Sequence, residues 1–300
     1  MVKFSIIIPS YNSLRTIPAT IESLLKDCHK QYIGEITVVD SSDDPAYLEY
    51  LTLIEAHKHI KLIRCQSKTM PALARNIGAR AAESPYLVFV DSDVIVVPGW
   101  SKAISDLFVA GVMAGSGSIG ISKQQERNLL ALGQFYFQLN EFMDTAPYRK
   151  IRFAPSCNMF CTREIFYLAG EFSLIRGSED VIFGLKVSEQ TDIIFSPEAK
   201  VYHIFREEFI PSMRNQIMLG KYVNIYRRSL NPSAFYLKGI WLVLCMPAIL
   251  IAKSLRIVAR IARSNNSHRK AFLLSFPFFL ANLFFWSYGF VKGGFSDEVY

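Results

Sequence analysis

The 300-residue sequence has no pair of cysteines at CxxC spacing, and its cysteines are odd in number: Cys28, Cys65, Cys157, Cys161 and Cys245. Cys157 and Cys161 lie four apart with no second pair and no His nearby, which argues against a zinc site and against a disulfide framework. The expectation is reduced, mostly buried thiols in a cytoplasmic compartment. Internal repeats and low-complexity linkers are absent. The first apolar run, Phe4–Ile8, is short and stopped by Pro9, so a secretory signal is not expected. Acidic residues run short in one place. The first 200 residues hold 20 Lys/Arg against 22 Asp/Glu, the last hundred 13 against 4. That asymmetry aims the C-terminal third, not the whole chain, at a polyanion or a membrane surface. A nucleic acid is not the expected partner, because the basic cluster sits among membrane-like helices and carries no interleaved aromatic stacking platform.

What the chain does have is apolar content, 51%, in a length that suits one large domain or two smaller ones. Short β-branched runs at Phe4–Ile8, Ile36–Val39, Ile60–Arg64 and Leu87–Val90 alternate with helix-like stretches at Thr16–Lys26, Pro45–His57 and Pro71–Ala82. Strict alternation implies βαβ units and an α/β fold with a mainly parallel sheet. The strands are continuously apolar, as in a sheet covered on both faces by helices. Ligands of such sheets bind beyond the carboxyl ends of the strands, so Pro9–Asn12, Asp40–Asp44 and Asp91–Asp93 are the residues to read. Beyond Ser101 the pattern is less regular, with one long helical candidate at Lys123–Met143.

After Pro211 the composition changes. Gly239–Ala252 is an uncharged apolar run of 14 residues, and Ala271–Val291 is a second of 21. Only the second is long enough to span a bilayer. The segment between them is basic (Lys253, Arg256, Arg260, Arg263, His268, Arg269, Lys270), and so is the upstream flank at Arg227, Arg228 and Lys238. Two full spans would place one basic cluster outside, against the positive-inside rule. Helices that lie in the interface or dip and return keep both clusters on the cytoplasmic face. Arg256, Arg260 and Arg263 fall within about 60° on a helical wheel, and each basic residue near an anionic leaflet is worth roughly 1 kcal/mol. The reading is a catalytic domain over 1–210 and a membrane-associated helical region over 211–300. Its competitor is a pair of ordinary buried helices.

The stretch YLVFVDSDVIVVPGW (Tyr86–Trp100) runs an apolar strand into Asp91 and Asp93, which share a side if the chain stays extended. Two carboxylates so close repel unless a hard divalent cation holds them, and Mg²⁺ or Mn²⁺ completes its shell with phosphate oxygens and water. The plainer reading is an acidic turn in which Ser92 and Asp93 serve as helix-cap types. Glu179-Asp180, at the apparent start of a helix (Val181–Glu189), is open to the same plain reading, because carboxylates favour helix N-termini.

SIIIPSYNSLRTIPATIESLL, then ITVVDSSDD, ALARNIGARAA, YLVFVDSDVIVVPGW and GSEDVIFGLKV resemble the family 2 glycosyltransferases, in that family's order across about residues 4–205. The resemblance implies an inverting enzyme of the GT-A fold that uses a nucleotide sugar. It implies Pro9 and Tyr11 at the lip around the nucleotide and Asp40 on the base. Arg75 and Asn76 would face the nucleotide sugar, and so would Ser92. Asp91 would contact the ribose or the metal, Asp93 and His203 would ligate the metal, and Asp180 would be the general base. Ser41 and Ser42 follow Asp40 where the family often writes a second acid and a glycine; uridine is favoured over guanosine. No QxxRW-like signature of processive synthases is present, so one addition per encounter is expected.

Two rivals follow from other features. GSGSIG (Gly115–Gly120) satisfies GxGxxG, but no strand of proper length precedes it, and the acid about 20 residues on, Glu141, lies in a helical pattern rather than at a strand end. An NAD-dependent oxidoreductase is therefore remote, and these glycines are expected to let a loop pass close to sugar or acceptor. A nucleotidyltransferase needs a glycine-rich loop after the first strand, and PSYNSLRT has none. The expected function is transfer of a sugar from a nucleoside-diphosphate sugar, with uridine favoured, to a hydroxyl of a lipid-linked or membrane-bound glycan acceptor. The alternative is transfer directly onto polyprenyl phosphate. Expected partners are the donor, the acceptor and membrane lipids, with Arg256, Arg260 and Arg263 toward lipid phosphates.

Overall fold

The protein is described here by a computed structural model covering residues 2–298. In chain order it forms β1 (Phe4–Ser10), α1 (Ile17–Leu25), β2 (Ile33–Asp40), α2 (Pro45–Glu55), β3 (Ile60–Arg64), α3 (Pro71–Ala81), β4 (Tyr86–Val90), β5 (Val94–Val96), α4 (Trp100–Val109) and β6 (Ala114–Ile121). Then follow α5 (Leu129–Gln138), β7 (Arg149–Ile151), β8 (Asn158–Thr162), α6 (Arg163–Leu168), α7 (Glu179–Ser188), β9 (Ile193–His203), α8 (Phe209–Leu230), α9 (Gly239–Ala262) and α10 (Asn266–Gly294). These elements gather into two compact units. Of the described residues, one holds 2–120, 146–174 and 179–204; the other holds 121–145, 175–178 and 205–298. The segment 121–145 thus falls with the C-terminal helices, although by sequence it lies within the span 1–210.

The first unit is built on a nine-stranded sheet in the order β3-β2-β1-β4-β8-β6-β9-β5, with β7 paired to β9. Strands β3, β2, β1 and β4 run parallel, as the βαβ rhythm of the sequence predicts. The pairs β4–β8, β6–β8, β5–β9 and β7–β9 are antiparallel, so the sheet as a whole is mixed. Register sets the functional edge: Ser10 lies opposite Asp40, and Asp40 opposite Arg64. All seven residues of β1 are buried, which is why its sequence shows no alternation. Helices α1, α2 and α3 each carry proline in the first turn, where the missing N–H costs no hydrogen bond. Asp44 caps α2 by accepting from the Tyr47 N–H at 3.1 Å. Helix α3 sits close on β1 because Gly78 has no side chain: a Cβ there would stand 2.4 Å from Ile7 Cγ2. That close seat decides where Arg75, one turn earlier, is delivered.

The glycines of GSGSIG lie within β6, not in a loop. A Cβ on Gly117 would stand 1.7 Å from the Ala199 carbonyl oxygen, and one on Gly115 would meet Phe160 and the Ile194 carbonyl. They serve close packing inside the sheet. This corrects the expectation that they let a loop pass beside the substrate, and it disposes of the dinucleotide fingerprint.

The second unit is helical. The long helix expected over Lys123–Met143 is reduced to α5, started by Asn128, whose side chain accepts from the Ala131 N–H at 3.1 Å. Helix α8 has no counterpart in the sequence reading; Pro211 sits in its first turn, where it is tolerated. Most of the basic segment between the two apolar runs is helical: α9 continues through Arg260 to Ala262, and α10 begins at Asn266. Helices α8 and α10 touch backbone to backbone. A Cβ on Gly220 would stand 2.0 Å from the Trp286 carbonyl oxygen, and one on Gly289 2.0 Å from that of Ile217. Small residues at such contacts let helices approach and gain dispersion contacts. The core of this unit joins Phe135, Tyr136, Phe137, Leu242, Ile257, Phe272, Phe279, Trp286 and Phe290. Outside it, Ile240, Trp241, Leu244, Ile251, Leu255, Leu273, Leu274 and Phe284 are exposed. Among the described residues, α9 and α10 are the two helices long and apolar enough to cross a membrane by length and composition.

Candidate active site

Each parallel strand ends in polar residues at one edge of the sheet, and the loops there are stapled together. Asn12, just after β1, holds a left-handed backbone (φ 47°), a conformation asparagine tolerates better than most residues. Its N–H donates to Ser42 Oγ at 2.7 Å, its Nδ2 donates to Asp43 Oδ1 at 2.8 Å, and its Oδ1 accepts from the N–H groups of Asp43 and Asp44. Ser92 Oγ donates to Ser13 Oγ at 2.9 Å, tying the Asp91–Asp93 loop to the same edge. Pro9 is buried at the end of β1. Tyr11 is half-buried, with the Lys68 ammonium 4.0 Å from its ring centre.

Asp40 is fully buried yet well supplied with donors. Its carboxylate accepts from the Ser42 N–H at 3.1 Å and from Ser42 Oγ at 2.5 Å, and Arg64 Nε lies at 3.4 Å. Beside it, Tyr47 and Ser10 share a short hydroxyl–hydroxyl bond. Burial raises the Tyr47 phenol above its ordinary value, so it stays neutral.

The second cluster centres on Arg75. Its side chain is 4% exposed, and it donates to Asp91 Oδ1 at 2.6 Å and to Glu179 Oε1 at 3.2 Å. Burial pulls the guanidinium's pKa down, but Asp91 and Glu179 outweigh it, and the net shift is upward. Arg75 is a fixed positive charge under three acids, with the ring of Phe172 packed 5.6 Å beneath it. Asn76 next to it is placed otherwise. Its Nδ2 donates to the Phe172 carbonyl at 2.8 Å and its Oδ1 accepts from the Phe172 N–H at 3.0 Å. Both ends of its amide are thereby occupied, and what it holds is the backbone under Arg75.

Asp180 follows Gly177 and Ser178, which both hold left-handed backbones (φ 75° and 62°) and turn the chain sharply into α7. Burial, then repulsion from Glu179, pushes the Asp180 carboxyl up to about 7. Arg75 and the Val181 N–H, which donates to Asp180 Oδ1 at 2.8 Å, pull the other way and lose. Its proton affinity thus lies near neutrality, where a general base works best. The helix N-terminus alone would have depressed it, so burial and the paired acid decide.

Asp93 faces His203. Its Oδ1 lies 3.5 Å from His203 Nε2, because β5 and β9 pair with Val94 opposite His203. No group of three or more His, Cys, Asp or Glu side chains suited to a metal occurs among the described residues. One carboxylate with one imidazole nonetheless fits a hard divalent ion that takes its remaining ligands from phosphate and water. Asp91 is given to Arg75 instead. Cys157 is buried nearby; burial first, then Asp91, Asp93 and Asp180, hold its thiol well above the ordinary range. It is not a nucleophile at neutral pH.

Of the residues expected at the site, Arg75 and Asp91 are in contact, Asp93 and His203 are in contact, and the positive charge of Arg75 acts on Asp180. Ser13, Tyr47, Arg64 and Lys68 enter the site only with the structure, and so do the roles of Asn12 and Glu179. Glu179 had a signal, the acid pair at a helix start. Its pairing with a residue 104 positions away did not.

The glycosyl transferase family 2 model matches residues 5–169, more than half of the chain, and the protein belongs to that family. Among curated relatives, the poly(ribitol-phosphate) β-N-acetylglucosaminyltransferase TarS of Staphylococcus aureus is 31% identical over 94 residues, which is 31% of this chain and 16% of that protein. An uncharacterized glycosyltransferase of Haemophilus influenzae is 36% identical over 89 residues, 30% of this chain and 35% of the other. The matches cover between 13% and 35% of the curated relatives' own lengths. Solved structures match over much more. The mannosyltransferase PcManGT of Pyrobaculum calidifontis, in complex with GDP-Man and Mn²⁺, superimposes with a TM-score of 0.59 at 16% identity, over 93% of this chain and 85% of that one. TarS 1-349 with UDP-GlcNAc gives 0.56 at 17% identity, over 93% and 89%. The fold is of the GT-A type.

Proposed function

We propose that this protein is an inverting glycosyltransferase that moves a sugar from a nucleoside-diphosphate sugar to a hydroxyl of a lipid-linked glycan acceptor. Uridine diphosphate is the favoured donor nucleotide. The observation that carries the reading is the half-buried Asp180 with its proton affinity near neutrality, beside the Arg75–Asp91–Glu179 cluster. In one displacement the acceptor oxygen bonds to the anomeric carbon as the bond to the diphosphate oxygen breaks. Asp180 takes the acceptor's hydroxyl proton, and the nucleoside diphosphate departs with the electron pair. Arg75 holds Asp91 and Glu179 in place, so that Asp91 presents its other oxygen to the ribose. Tyr11 and the Asp40 pocket take the base, with Ser42 and Arg64 orienting the Asp40 carboxylate. Asp93 and His203 would hold Mg²⁺ or Mn²⁺, which when bound supplies positive charge to the leaving diphosphate. Transfer onto a phosphate acceptor would need no base, so a carboxyl poised near pH 7 favours the hydroxyl acceptor. The exposed apolar faces of α9 and α10 support placing the enzyme on a membrane, with the basic residues on its cytoplasmic face.

The reading is tested by calorimetry with UDP, GDP and CMP, each with and without Mn²⁺. Manganese-dependent binding of UDP above the other two is expected. Binding of none of the three would overturn the enzyme reading.

A further inference from the structure

The sequence points at Arg256, Arg260 and Arg263 as one basic stripe. The structure breaks that stripe apart. Arg260 is spoken for: its Nη1 donates to Asn140 Oδ1 at 3.0 Å and its Nη2 to Glu141 Oε2 at 2.7 Å. Arg263 is exposed at the end of α9. Arg256 instead belongs with two cations that the wheel could not place beside it. Lys253 is half-buried, with its ammonium 4.4 Å from the Phe137 ring centre and 4.6 Å from that of Trp286. Arg227, from α8, packs over Phe290 at 5.6 Å. The charges of Arg227, Arg256 and Arg260 all act on Lys253, and Arg256 acts on Arg227. Among the described residues, no ion pair joins a carboxylate to Arg227, Lys253 or Arg256, and Glu141 is held by Arg260.

Like charges gathered on a partly dry apolar surface repel one another, and aromatic faces offset only part of that cost. An anion that enters among them removes the repulsion and finds two guanidinium forks and an ammonium as donors. Planar forks match phosphate oxygens bidentately. The same helix exposes Trp241, Val243, Leu244, Ile251, Leu255 and Val258, which fits a ligand whose phosphate carries a long apolar chain better than a free ion.

We propose that Arg227, Lys253 and Arg256 form a binding site for the phosphate or diphosphate head of a lipid-linked acceptor. This deepens the functional reading given above and rests on it for the word acceptor, but not for the binding itself.

The test is flotation of the full chain with phosphatidylcholine vesicles of three kinds: plain, with phosphatidylglycerol, and with a few per cent of a long-chain polyprenyl diphosphate. The double variant Lys253→Gln/Arg256→Gln is expected to lose about tenfold or more in affinity for the polyprenyl diphosphate vesicles. On phosphatidylglycerol it should lose no more than Arg263→Gln, a charge on the same helix outside the cluster. Arg256 is exposed, so Arg256→Gln alone leaves the buried packing in place and is expected to show part of the loss, with a thermal melt checking that the fold is kept. Equal losses on both anionic vesicles would overturn the site in favour of general surface charge. Inorganic pyrophosphate competing as well as the lipid would overturn the lipid as its source. UDP calorimetry on the same variants separates the two claims: unchanged nucleotide binding with lost lipid binding upholds this site, whereas lipid binding by a protein that binds no nucleotide would sink only the enzyme reading.

Discussion

Arg75 donates to Asp91 Oδ1 at 2.6 Å from a side chain that is almost wholly buried, while its other Nη reaches Glu179. One cation therefore organises acids from two distant parts of the chain. Replacing Arg75 with Met keeps volume but leaves Asp91 and Glu179 facing each other and Asp180 without compensation. Loss of about 3–5 kcal/mol is expected, read by urea unfolding. Arg75→Lys should recover only part of it, because a point charge cannot bridge both carboxylates. Wild-type stability in Arg75→Met would mean the cluster is not structural.

Asp180→Asn should cut transfer by about a hundred- to ten-thousand-fold and leave UDP binding intact. It should also stabilise the fold. Asp180's folded pKa lies above its ordinary value, so its contribution is full in acid and is lost as pH rises toward about 7. Thermal melts should show the variant a few degrees above the parent at pH 8 and level with it near pH 3. A variant with near-normal turnover would remove Asp180 as the base.

Glu179→Gln removes the repulsion that, after burial, raises Asp180 most. The acid limb of the rate profile is expected to move to lower pH in this variant, since the base then ionises more readily. A limb that stays in place or moves upward would contradict the coupling.

Asp93→Ala and His203→Gln should each weaken nucleotide binding in the presence of Mn²⁺, and change it little when the metal is chelated. Calorimetry with and without chelator reads both arms. An equal loss in the two conditions would show that the pair contacts nucleotide or shapes the loop instead of facing a metal.

Gly117→Ala places a methyl where the Ala199 carbonyl oxygen stands. A loss of about 1–3 kcal/mol or more is expected from the forced strand separation. Binding a dinucleotide is not what this glycine serves, so added NAD should restore nothing in a thermal melt.

The four parallel strands, their helices and the polar residues at the strand ends were legible in the sequence, because each depends on neighbours a few residues away. Apolar continuity marks a covered strand, proline marks a helix start, and β3 was placed to the residue. The Asp91–Asp93 and Glu179–Asp180 pairs were legible for the same reason. Helix α8 was not, because the face it buries recurs at helical spacing but is made mostly of polar residues and glycine (Ser212, Gln216, Gly220, Asn224, Arg228), so no apolar stripe marks it before α10 packs against it. The glycines of β6 misled for a related reason: what a missing Cβ permits depends on which atoms face it, and the facing atoms come from β8 and β9.

Charge tells the same story. Sequence alone determined that the C-terminal third is basic and apolar, and that acids stand at strand ends. Which charges meet was decided by the tertiary structure. It gave Asp91 to Arg75 and Asp93 to His203, spent Asn76 on the Phe172 backbone, and split the arginine stripe so that Arg260 joined Glu141 while Lys253 came under the charge of Arg227. A helical wheel or a strand register reports direction from one element only. Electrostatic partnership depends on distance between elements, and distance is set by packing: by Gly78 seating α3 on β1, and by Gly220 and Gly289 bringing α8 and α10 together.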